Sequence, residues 1–497
     1  MTREARLGLG RVRGRSLLAL APFLGALAAA VCWVPAPPSL GPATSGDPAV
    51  ADLVREAAGD GHGYRGLAVV VVDQDRVRTA GLGSSGNDAR PIVDAATVFE
   101  AGSIGKPLTG MLLADLADRE LLDLSTPLRN LRPEHPFAPS GPGDVTLEDL
   151  ATHRGGMTKM PPALDTTLRD LSLRILGRDP YRGLDEDDVL NGADTAHTGP
   201  DHHYAYSNIG MALAGLTAAH HLRLPYEQLL QERLLTPLGM TGTHVVRPTD
   251  PLPPASAHGQ RADGPPMDHW FASGYTPAGD LWTTSGDLGR LLKALLDGNA
   301  PGSRATEPRY PAGPGARTGL GWFTDTRNDR RITWHNGATG GFTSYLALDP
   351  DRGLGVAVLS NTDRPVDAIG HRLLGLAPQP HDDEDTTTTL ATIALTAAAP
   401  LPAAAVAARH RTHPPRATVL ALDAAFALTA LTITRRLGHW LTVPPPLWTV
   451  ALLLTGSALA RTLLEPRAPA TAKSHPSLPA RTGALFAVLA AGTAALL

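Results

Sequence analysis

Ser103 and Lys106 are the two side chains of this 497-residue chain whose types and spacing point most directly to chemistry. They stand three positions apart where an apolar pattern with helical spacing begins, running from Ile104 to Leu116, so both are expected on one face of a helix start. A serine hydroxyl becomes a nucleophile when a neighbour takes its proton, and a buried lysine can do so because burial disfavours the ammonium. The pair predicts nucleophilic catalysis; the alternative is a helix-capping serine beside a solvated lysine.

A second group, Tyr206 and Asn208, stands on a loop immediately before another helical pattern. A phenol or tyrosinate beside a lysine can relay protons at the serine and the leaving group, so Tyr206 is a candidate second acid or base. The side chain of Asn208 is expected to donate to a substrate carbonyl. The alternative is a packed tyrosine followed by an asparagine that caps the helix.

A third group, His335, Gly337 and Ala338, follows one predicted strand and precedes two more, with a turn at Asp349–Gly353 between the last two. Gly337 is expected to let a substrate backbone approach the strand edge. The N–H groups of Ala338 and Ser103 are candidate donors to an oxyanion. The alternative for His335 is a strand-end histidine in a glycine-rich turn.

Taken in this order, the three groups resemble the motifs of the serine β-lactamase and penicillin-binding-protein-like hydrolases, on the class C side. That group includes D,D-carboxypeptidases, D-aminopeptidases and esterases. Three further segments resemble the family's landmarks, and the resemblance covers about residues 48 to 375. These segments are Leu150–Met157, Leu234–Met240 and Pro277–Leu288.

The resemblance implies that Ser103 is the acylated nucleophile, that Lys106 is its proton acceptor or electrostatic partner, and that Tyr206 is the second acid or base. It places Asn208 and His335 along the substrate groove. His335 stands where class C β-lactamases have a lysine, which removes a fixed cation suited to a substrate carboxylate and disfavours efficient β-lactam hydrolysis. Arg154 and Gly155 also depart from the family's pattern, at a site we interpret as structural.

The resemblance also implies the fold class: an α+β, β-lactamase/transpeptidase-like antiparallel sheet with flanking helices and a mostly helical subdomain. A predicted hairpin over 66–80 is expected to pair with the strands of 319–361, and the helical motifs of about 104–300 form the subdomain. Ser103 and Tyr206 then lie at the junction of the two parts, where pockets usually occur. From its own apolar stretches, the chain after this domain is expected to form a small transmembrane helical region.

Composition excludes several other classes of protein. A net charge of −4 gives no nucleic-acid footprint, and the single cysteine, Cys32, excludes an internal disulfide and any multi-cysteine metal site. The chain has no Gly-x-Ser-x-Gly elbow, no His-Glu-x-x-His metal motif and no glycine-rich phosphate loop. We therefore expect no cofactor, no metal and no nucleic-acid partner.

Residues 1–34 carry five arginines and then an apolar run, which predicts a signal peptide or signal anchor. Cys32 could be the modified cysteine of a lipoprotein, but Val31 directly before it is a poor match to the lipobox motif, so this interpretation is disfavoured. A Pro/Gly/Ser linker over 35–48 leads to the hydrolase domain, 49–375, and a polar linker over 376–389 follows it.

The last part of the chain, 390–497, is predicted to be a membrane region with about four helices. Its apolar stretches, about 390–408, 417–434, 441–460 and 482–497, approach the roughly 17–25 residues that span a bilayer. The loops 409–416 and 461–481 are richer in Arg and Lys than the loop between them, so they are expected in the cytoplasm and the hydrolase domain outside the cell. The alternative is an alanine-rich buried bundle.

Together these features predict an extracytoplasmic, membrane-tethered serine hydrolase. By the resemblance, it would act through an acyl-enzyme on D-amino-acid peptides of cell-wall type or on small esters and amides. One alternative is a non-catalytic sensor that binds cell-wall fragments or β-lactams and is coupled to the membrane helices. A transporter with an accessory domain is disfavoured because its apolar stretches contain few polar residues.

Overall fold

The computed structural model describes residues 24–29, 34–199, 202–271, 273–327, 329–377, 386–409 and 417–464. The chain divides into two compact units, one formed by 38–173 with 177–380 and the other by 1–37, 174–176 and 381–497. Cys32, nearly all of the expected export segment, nearly all of the two basic loops and the last apolar stretch lie outside the described residues.

The larger unit is built on two antiparallel sheets. The described strands are β1 (Thr44–Gly46), β2 (Gly66–Asp73), β3 (Arg76–Gly83), β4 (Val98–Glu100), β5 (Trp282–Thr284), β6 (Tyr310–Pro311), β7 (Ala316–Thr318), β8 (Phe323–Arg327), β9 (Arg330–Ala338), β10 (Thr343–Asp349) and β11 (Leu354–Ser360). Nine of them form one sheet in the order β1-β3-β2-β11-β10-β9-β8-β7-β6, and β4 pairs with β5. The predicted hairpin and its pairing with the C-terminal strands are confirmed.

The large sheet is covered on both faces, which explains the run of consecutive valines in β2. Val70 and Val72 pack into the main core with the helical region, whereas Val69 and Val71 pack into a second core on the opposite face. Strands that are buried on both faces have nearly continuous apolar sequences, because alternate side chains enter different cores.

The described helices of eight or more residues in the larger unit are α1 (Pro48–Ala57), α2 (Gly105–Asp118), α3 (Leu164–Leu176, whose last three residues fall in the other unit), α4 (Glu186–Ala196), α5 (Asn208–Leu222) and α6 (Ser285–Leu296). Shorter helical turns are Leu128–Leu131, Leu147–Ala151, Tyr226–Leu230, Thr276–Gly279 and Asp367–Leu373. Every residue of α2 from Gly105 to Leu116 is buried, so this helix is the centre of the main core. The sequence pattern had indicated only one of its apolar faces.

The other unit contains, among its described residues, the helices α7 (Thr386–Ala398), α8 (Leu401–Arg409), α9 (Ala417–Leu437) and α10 (Pro446–Leu464). A small hydrophobic cluster in this unit includes Leu431 of α9, Trp440 after it and Trp448 of α10. In the described part of the chain, one helical segment, Thr386–Ala408, has the length and apolar composition to cross a membrane. The predicted stretch 482–497 cannot be compared, since it lies outside the described residues.

Candidate active site

Ser103, Lys106 and Tyr206 meet at one point of the larger unit. The Nζ atom of Lys106 lies 2.9 Å from the Oγ atom of Ser103, and the Tyr206 hydroxyl donates to the same Oγ at 3.0 Å. Ser103 lies in a short 3₁₀ turn, Gly102–Ile104, that leads directly into α2, so one turn of helix separates the serine from the lysine. The three side chains have the geometry that a nucleophile and two proton-transfer groups require.

The backbone around Ser103 is held against the third motif. The Ser344 hydroxyl of β10 donates to the Ala101 carbonyl at 2.7 Å. Gly102 has φ +53°, and a Cβ atom on it would lie 2.7 Å from the nitrogen of Ala338. This turn therefore needs glycine for both its backbone conformation and its close approach to β9.

Lys106 is fully buried, and its ammonium has few partners to replace water. Its Nζ atom donates to the Ala278 carbonyl at 2.6 Å in addition to its contact with Ser103. Burial, and then the positive charge of Lys159, lower the pKa of Lys106 well below its usual value. A neutral amine beside a serine hydroxyl is a base that can accept the hydroxyl proton.

Tyr206 differs from Lys106 in its protonation. Burial raises the pKa of Tyr206, and the hydrogen bond to Ser103 opposes this only in part. The tyrosine is therefore a neutral phenol at neutral pH, and the tyrosinate considered from the sequence is not its resting form. The site thus places an amine whose pKa is lowered, Lys106, and a neutral phenol, Tyr206, on the same serine oxygen.

Asn208 begins α5, with the Ser207 hydroxyl capping that helix by accepting from the Gly210 N–H at 2.9 Å. The amide nitrogen of Asn208 donates to the Tyr181 hydroxyl at 3.0 Å. Its carbonyl oxygen is buried and has no partner in the described part of the chain. Asn208 therefore presents an acceptor oxygen to a ligand, while one hydrogen of its amide nitrogen is used by Tyr181 and the other can serve as the donor expected from the sequence.

His335 does not border the substrate groove, although the sequence analysis expected it there. The side chain is only 1 % exposed and lies behind the Tyr206 and Phe323 rings, at centroid distances of 6.2 and 5.2 Å. Burial, and then the nearby Lys106, lower the pKa of His335 to about 3, so the imidazole is neutral. Because side chains alternate along β9, Asn336 borders the cavity instead.

Gly337 and Ala338 lie where β9 is paired on one side only. β10 pairs with β9 as far as Ala338, whereas the described pairing of β8 ends at Trp334, so the backbone beyond it is open to a ligand. A Cβ atom on Gly337 would lie 2.2 Å from the Ala101 carbonyl oxygen. The need for glycine there comes from the segment just before Ser103, a reason that the sequence did not indicate.

A cavity of about 380 Å³ opens over the serine. One wall is aromatic: the Tyr181 ring lies 5.2 Å from that of Trp270 and 5.1 Å from that of Tyr275. Ser103 borders the cavity, together with Tyr206, Asn208, Gly337 and Ala338. The aromatic wall has no motif in the sequence, because its members come from two separate segments of the helical region, one with Tyr181 and one with Trp270 and Tyr275.

Several known proteins are similar to this chain. A sequence model of the family described as "Beta-lactamase" matches residues 50–377. The chain belongs to the beta-lactamase family. It is 26% identical to the D-alanyl-D-alanine-carboxypeptidase/endopeptidase AmpH of Escherichia coli, over 60% of this chain and 80% of that protein. It is 24% identical to a beta-lactamase of Pseudomonas fluorescens, over 60% of this chain and 89% of that protein.

Solved structures of beta-lactamase-family members share the fold. A class C beta-lactamase from Rhodobacter sphaeroides superposes with a TM-score of 0.56 at 22% identity, covering 66% of this chain and 99% of that one. The D-alanine carboxypeptidase AmpC from Burkholderia cenocepacia superposes with a TM-score of 0.55 at 23% identity, with the same coverage. The chain is therefore a beta-lactamase-family serine hydrolase with the β-lactamase/transpeptidase-like fold predicted from its motifs.

Proposed function

We propose that Ser103 is the acylated nucleophile of this hydrolase, with Lys106 as its general base and Tyr206 as the acid. The observation that supports this proposal most directly is a pair of distances: the Nζ atom of Lys106 and the Tyr206 hydroxyl both lie within 3.0 Å of the Ser103 Oγ atom. The Oγ proton passes to Nζ as Oγ bonds to the substrate carbonyl carbon. The Tyr206 proton passes to the leaving group as its bond breaks, and the Lys106 ammonium returns a proton to the phenolate.

Water then completes the turnover. It attacks the acyl-enzyme carbonyl carbon, gives a proton to the same base, and releases the acid as the Ser103 oxygen regains its hydrogen. The backbone N–H groups of Ser103 and Ala338 hold the oxyanion in both steps, at the open edge of β9. Asn208 accepts from an N–H group of the substrate.

The proposed substrates are D-amino-acid peptides of cell-wall type, or small esters and amides. The printed name of the AmpH relative, a carboxypeptidase and endopeptidase of D-alanyl-D-alanine, supports peptides. The neutral imidazole of His335, behind the cavity, supplies no cation for the carboxylate of a β-lactam. We therefore rank peptide and ester turnover above penicillin turnover.

The proposed location is the outer face of a cell membrane, with several membrane-spanning helices. One described helical segment with suitable length and composition, Thr386–Ala408, supports a membrane anchor. The arginine-rich loops of the sequence support the orientation.

Intact mass spectrometry of the full-length protein tests the nucleophile. A fluorophosphonate should add one adduct to the native protein and to Ser140→Ala, an exposed-serine control, and none to Ser103→Ala. Full labelling of Ser103→Ala would contradict the assignment. A slow, stable penicillin adduct on Ser103, with no turnover of any ester or peptide, would instead support the sensor alternative.

A further inference from the structure

Two chain segments, one carrying Tyr181 and the other carrying Trp270, lie side by side to form the aromatic wall of the cavity, with these two rings 5.2 Å apart. Backbone hydrogen bonds join the segments before and after the rings: the Asp268 N–H donates to the Gly177 carbonyl at 2.8 Å, and the Gly274 N–H donates to the Leu184 carbonyl at 3.0 Å. The contact between these two bonds decides where the rings stand.

A buried carboxylate, Asp179, joins the segments between those two bonds. One of its oxygens accepts from the Tyr181 N–H at 2.8 Å, and the other accepts from the Phe271 N–H at 3.0 Å. Phe271 directly follows Trp270, so one side chain holds the backbone beside both rings. Because Asp179 is only 6 % exposed, water has little access to take its place, and losing either oxygen would leave one of the two N–H groups without its acceptor.

Tyr181 carries this placement to Asn208. The backbone N–H of Tyr181 is held by Asp179, and its hydroxyl accepts from the Asn208 amide nitrogen at 3.0 Å. The ring between those two bonds also packs against Trp270 and Tyr275. Any shift of the Tyr181 backbone therefore moves the hydroxyl that the Asn208 amide binds.

Asn208 brings an unpaired acceptor to the cavity. Its carbonyl oxygen is buried and has no partner among the described residues, and the residue borders the cavity together with Ser103. A buried acceptor costs free energy until a donor reaches it. An N–H group of the substrate supplies that donor, whereas an ester oxygen in the same position would bring a second acceptor against the first. Asn208 can therefore distinguish an amide from an ester.

The side-chain amide of Asn208 depends on Tyr181, whereas its backbone does not. The Asn208 N–H donates to the Lys159 carbonyl at 3.1 Å, and the Ser207 hydroxyl caps α5, so other residues hold the backbone. Within the described parts of the chain, the Tyr181 hydroxyl is the only hydrogen-bond partner of the amide. The orientation of the amide thus follows the aromatic wall and, through it, Asp179.

We propose that Asp179 is a positioning residue for substrate selection. By holding the Tyr181 and Trp270 segments together it keeps the Asn208 amide in place. The hydrolase then prefers acyl groups with an amide N–H, as in peptides, over acyl groups in which an ester oxygen replaces that N–H. Asp179 does not border the cavity, so it acts on the substrate only through these neighbours. This role rests on the proposed function, in which Ser103 is the nucleophile and Asn208 accepts from a substrate N–H.

Two thioesters with the same ethanethiol leaving group test the proposal on the full-length protein. One has N-acetyl-D-alanine as its acyl group, and the other has O-acetyl-D-lactic acid, in which an oxygen replaces the N–H. Each kcat/KM, measured from thiol release, is divided by the rate of hydroxide hydrolysis of the same thioester bond, which removes differences in intrinsic reactivity. We expect the native protein to prefer the N-acetyl-D-alanine thioester at least about tenfold, because the ester leaves the Asn208 acceptor unpaired.

Asp179→Asn keeps the shape of the side chain but has one acceptor oxygen instead of two, so one of the two backbone N–H groups loses its acceptor. The preference for the N-acetyl-D-alanine thioester should fall at least about threefold, mainly through a higher KM. Labelling of Ser103 by a fluorophosphonate, which has no acyl N–H, should change little. Asp268→Asn is the matched control, because it removes the same charge from an exposed side chain of the same wall and should keep the full preference.

The outcomes separate a positioning role from a general structural one. An equal loss for both thioesters in Asp179→Asn, or no loss of preference, would overturn the proposal, and so would equal normalised rates for the two thioesters in the native protein. Hydrolysis of neither thioester, with no fluorophosphonate adduct on Ser103, would overturn the proposed function itself. If Asp179→Asn does not fold, Asp179→Glu, which keeps both oxygens on a longer side chain, should show the same loss of preference. Tyr181→Phe, which keeps the ring and removes the hydroxyl, should show it as well.

Discussion

The imidazole of His153 packs against the phenol of Tyr206, with ring centroids 4.6 Å apart and ring planes tilted by 40°. The same histidine also binds the residues on both sides of that tyrosine. Its carbonyl accepts from the Ala205 N–H at 2.8 Å, and its Nδ1 atom accepts from the Ser207 N–H at 3.3 Å. Three consecutive residues, Ala205 to Ser207, are thus held by one residue of the segment Leu150–Met157, through its backbone carbonyl and its ring.

The acceptor role of His153 requires a neutral ring. Burial, followed by the nearby Lys106 and His335, lowers the pKa of His153 well below its usual value. The ring therefore stays neutral at neutral pH, with Nδ1 free to accept from Ser207. We infer that His153 is a positioning residue for Tyr206.

Replacing His153 by phenylalanine should test this positioning, because the ring contact with Tyr206 is kept and the acceptor for the Ser207 N–H is lost. We expect kcat to fall roughly tenfold to a hundredfold with little change in KM, since small misplacements of a catalytic group are costly. In a Tyr206→Phe background the same change should cost little more. His221→Phe, at an exposed histidine, is the control, and an undiminished cost in the double variant would contradict the inference.

The buried histidines predict a loss of stability in acid. The pKa of His335 is lowered to about 3, against an ordinary value of 6.5, so between these values the unfolded chain binds the extra proton. Stability should therefore fall as the pH drops from about 6.5 toward 3.

Thermal unfolding at pH 7 and pH 4.5 measures that loss. The drop in Tm should be smaller for His335→Gln than for the native protein by roughly 2–5 °C, because glutamine takes up no proton. His221→Gln, at an exposed histidine, should show the native drop. Equal drops for all three proteins would show that His335 is not kept neutral by the fold.

Gly337→Ala should damage the site without any change in charge. The new methyl group would overlap the Ala101 carbonyl, which β10 holds in place through Ser344. We expect a loss of stability on the order of 1–3 kcal/mol and slower acylation of Ser103, since the segment that leads into Ser103 must shift. Gly41→Ala adds the same atom where no heavy atom lies within 4 Å, so normal acylation is expected there.

The parts of the site that a local pattern specifies were predictable from the sequence. Ser103 and Lys106 are joined by one helical turn. The strands around His335 show side chains that alternate with a two-residue period, and turn residues separate these strands. Both features follow from backbone geometry over a few residues. The helical start at Asn208 was predictable for the same reason, although its cap is Ser207.

Features that depend on distant segments could not be predicted. The inward position of His335 follows from which face of β9 meets Tyr206, and a single sequence does not fix that face. Tyr181 and Trp270 stand far apart in the chain and meet only through the packing of the helical region. Asp363 borders the cavity but belongs to no recognisable motif. It follows β11, and only the order of strands in the sheet brings this part of the chain to the groove.

Cysteine labelling in intact cells tests the proposed topology. In a Cys32→Ser background, an impermeant maleimide should label Ser140→Cys in the hydrolase domain at once. It should label Ser474→Cys in the loop 461–481 only after permeabilisation, because the basic loops are proposed to face the cytoplasm. Labelling of Ser474→Cys in sealed cells would refute the orientation.

The different proposed roles of Lys106 and Tyr206 predict how the effects of their substitutions on acylation combine in a double variant. Lys106→Arg keeps a cation but has no amine that can become neutral, so acylation should fall on the order of 10²–10⁴-fold. Tyr206→Phe should cost a comparable factor. The double variant should cost little more, because the two groups act on the same oxygen as one unit.

The pH profile separates the two groups. The lowered pKa of Lys106 means that acylation should rise with pH at values well below 10.5, the ordinary pKa of lysine. Because burial raises the pKa of Tyr206, any decline in the acylation rate at alkaline pH should begin above pH 10, which is the ordinary pKa of tyrosine. Tyr206→Phe should lose that decline and keep the acidic limb, which stopped-flow acylation with a fluorophosphonate would measure. Near-normal acylation by Lys106→Arg would show that another group is the base.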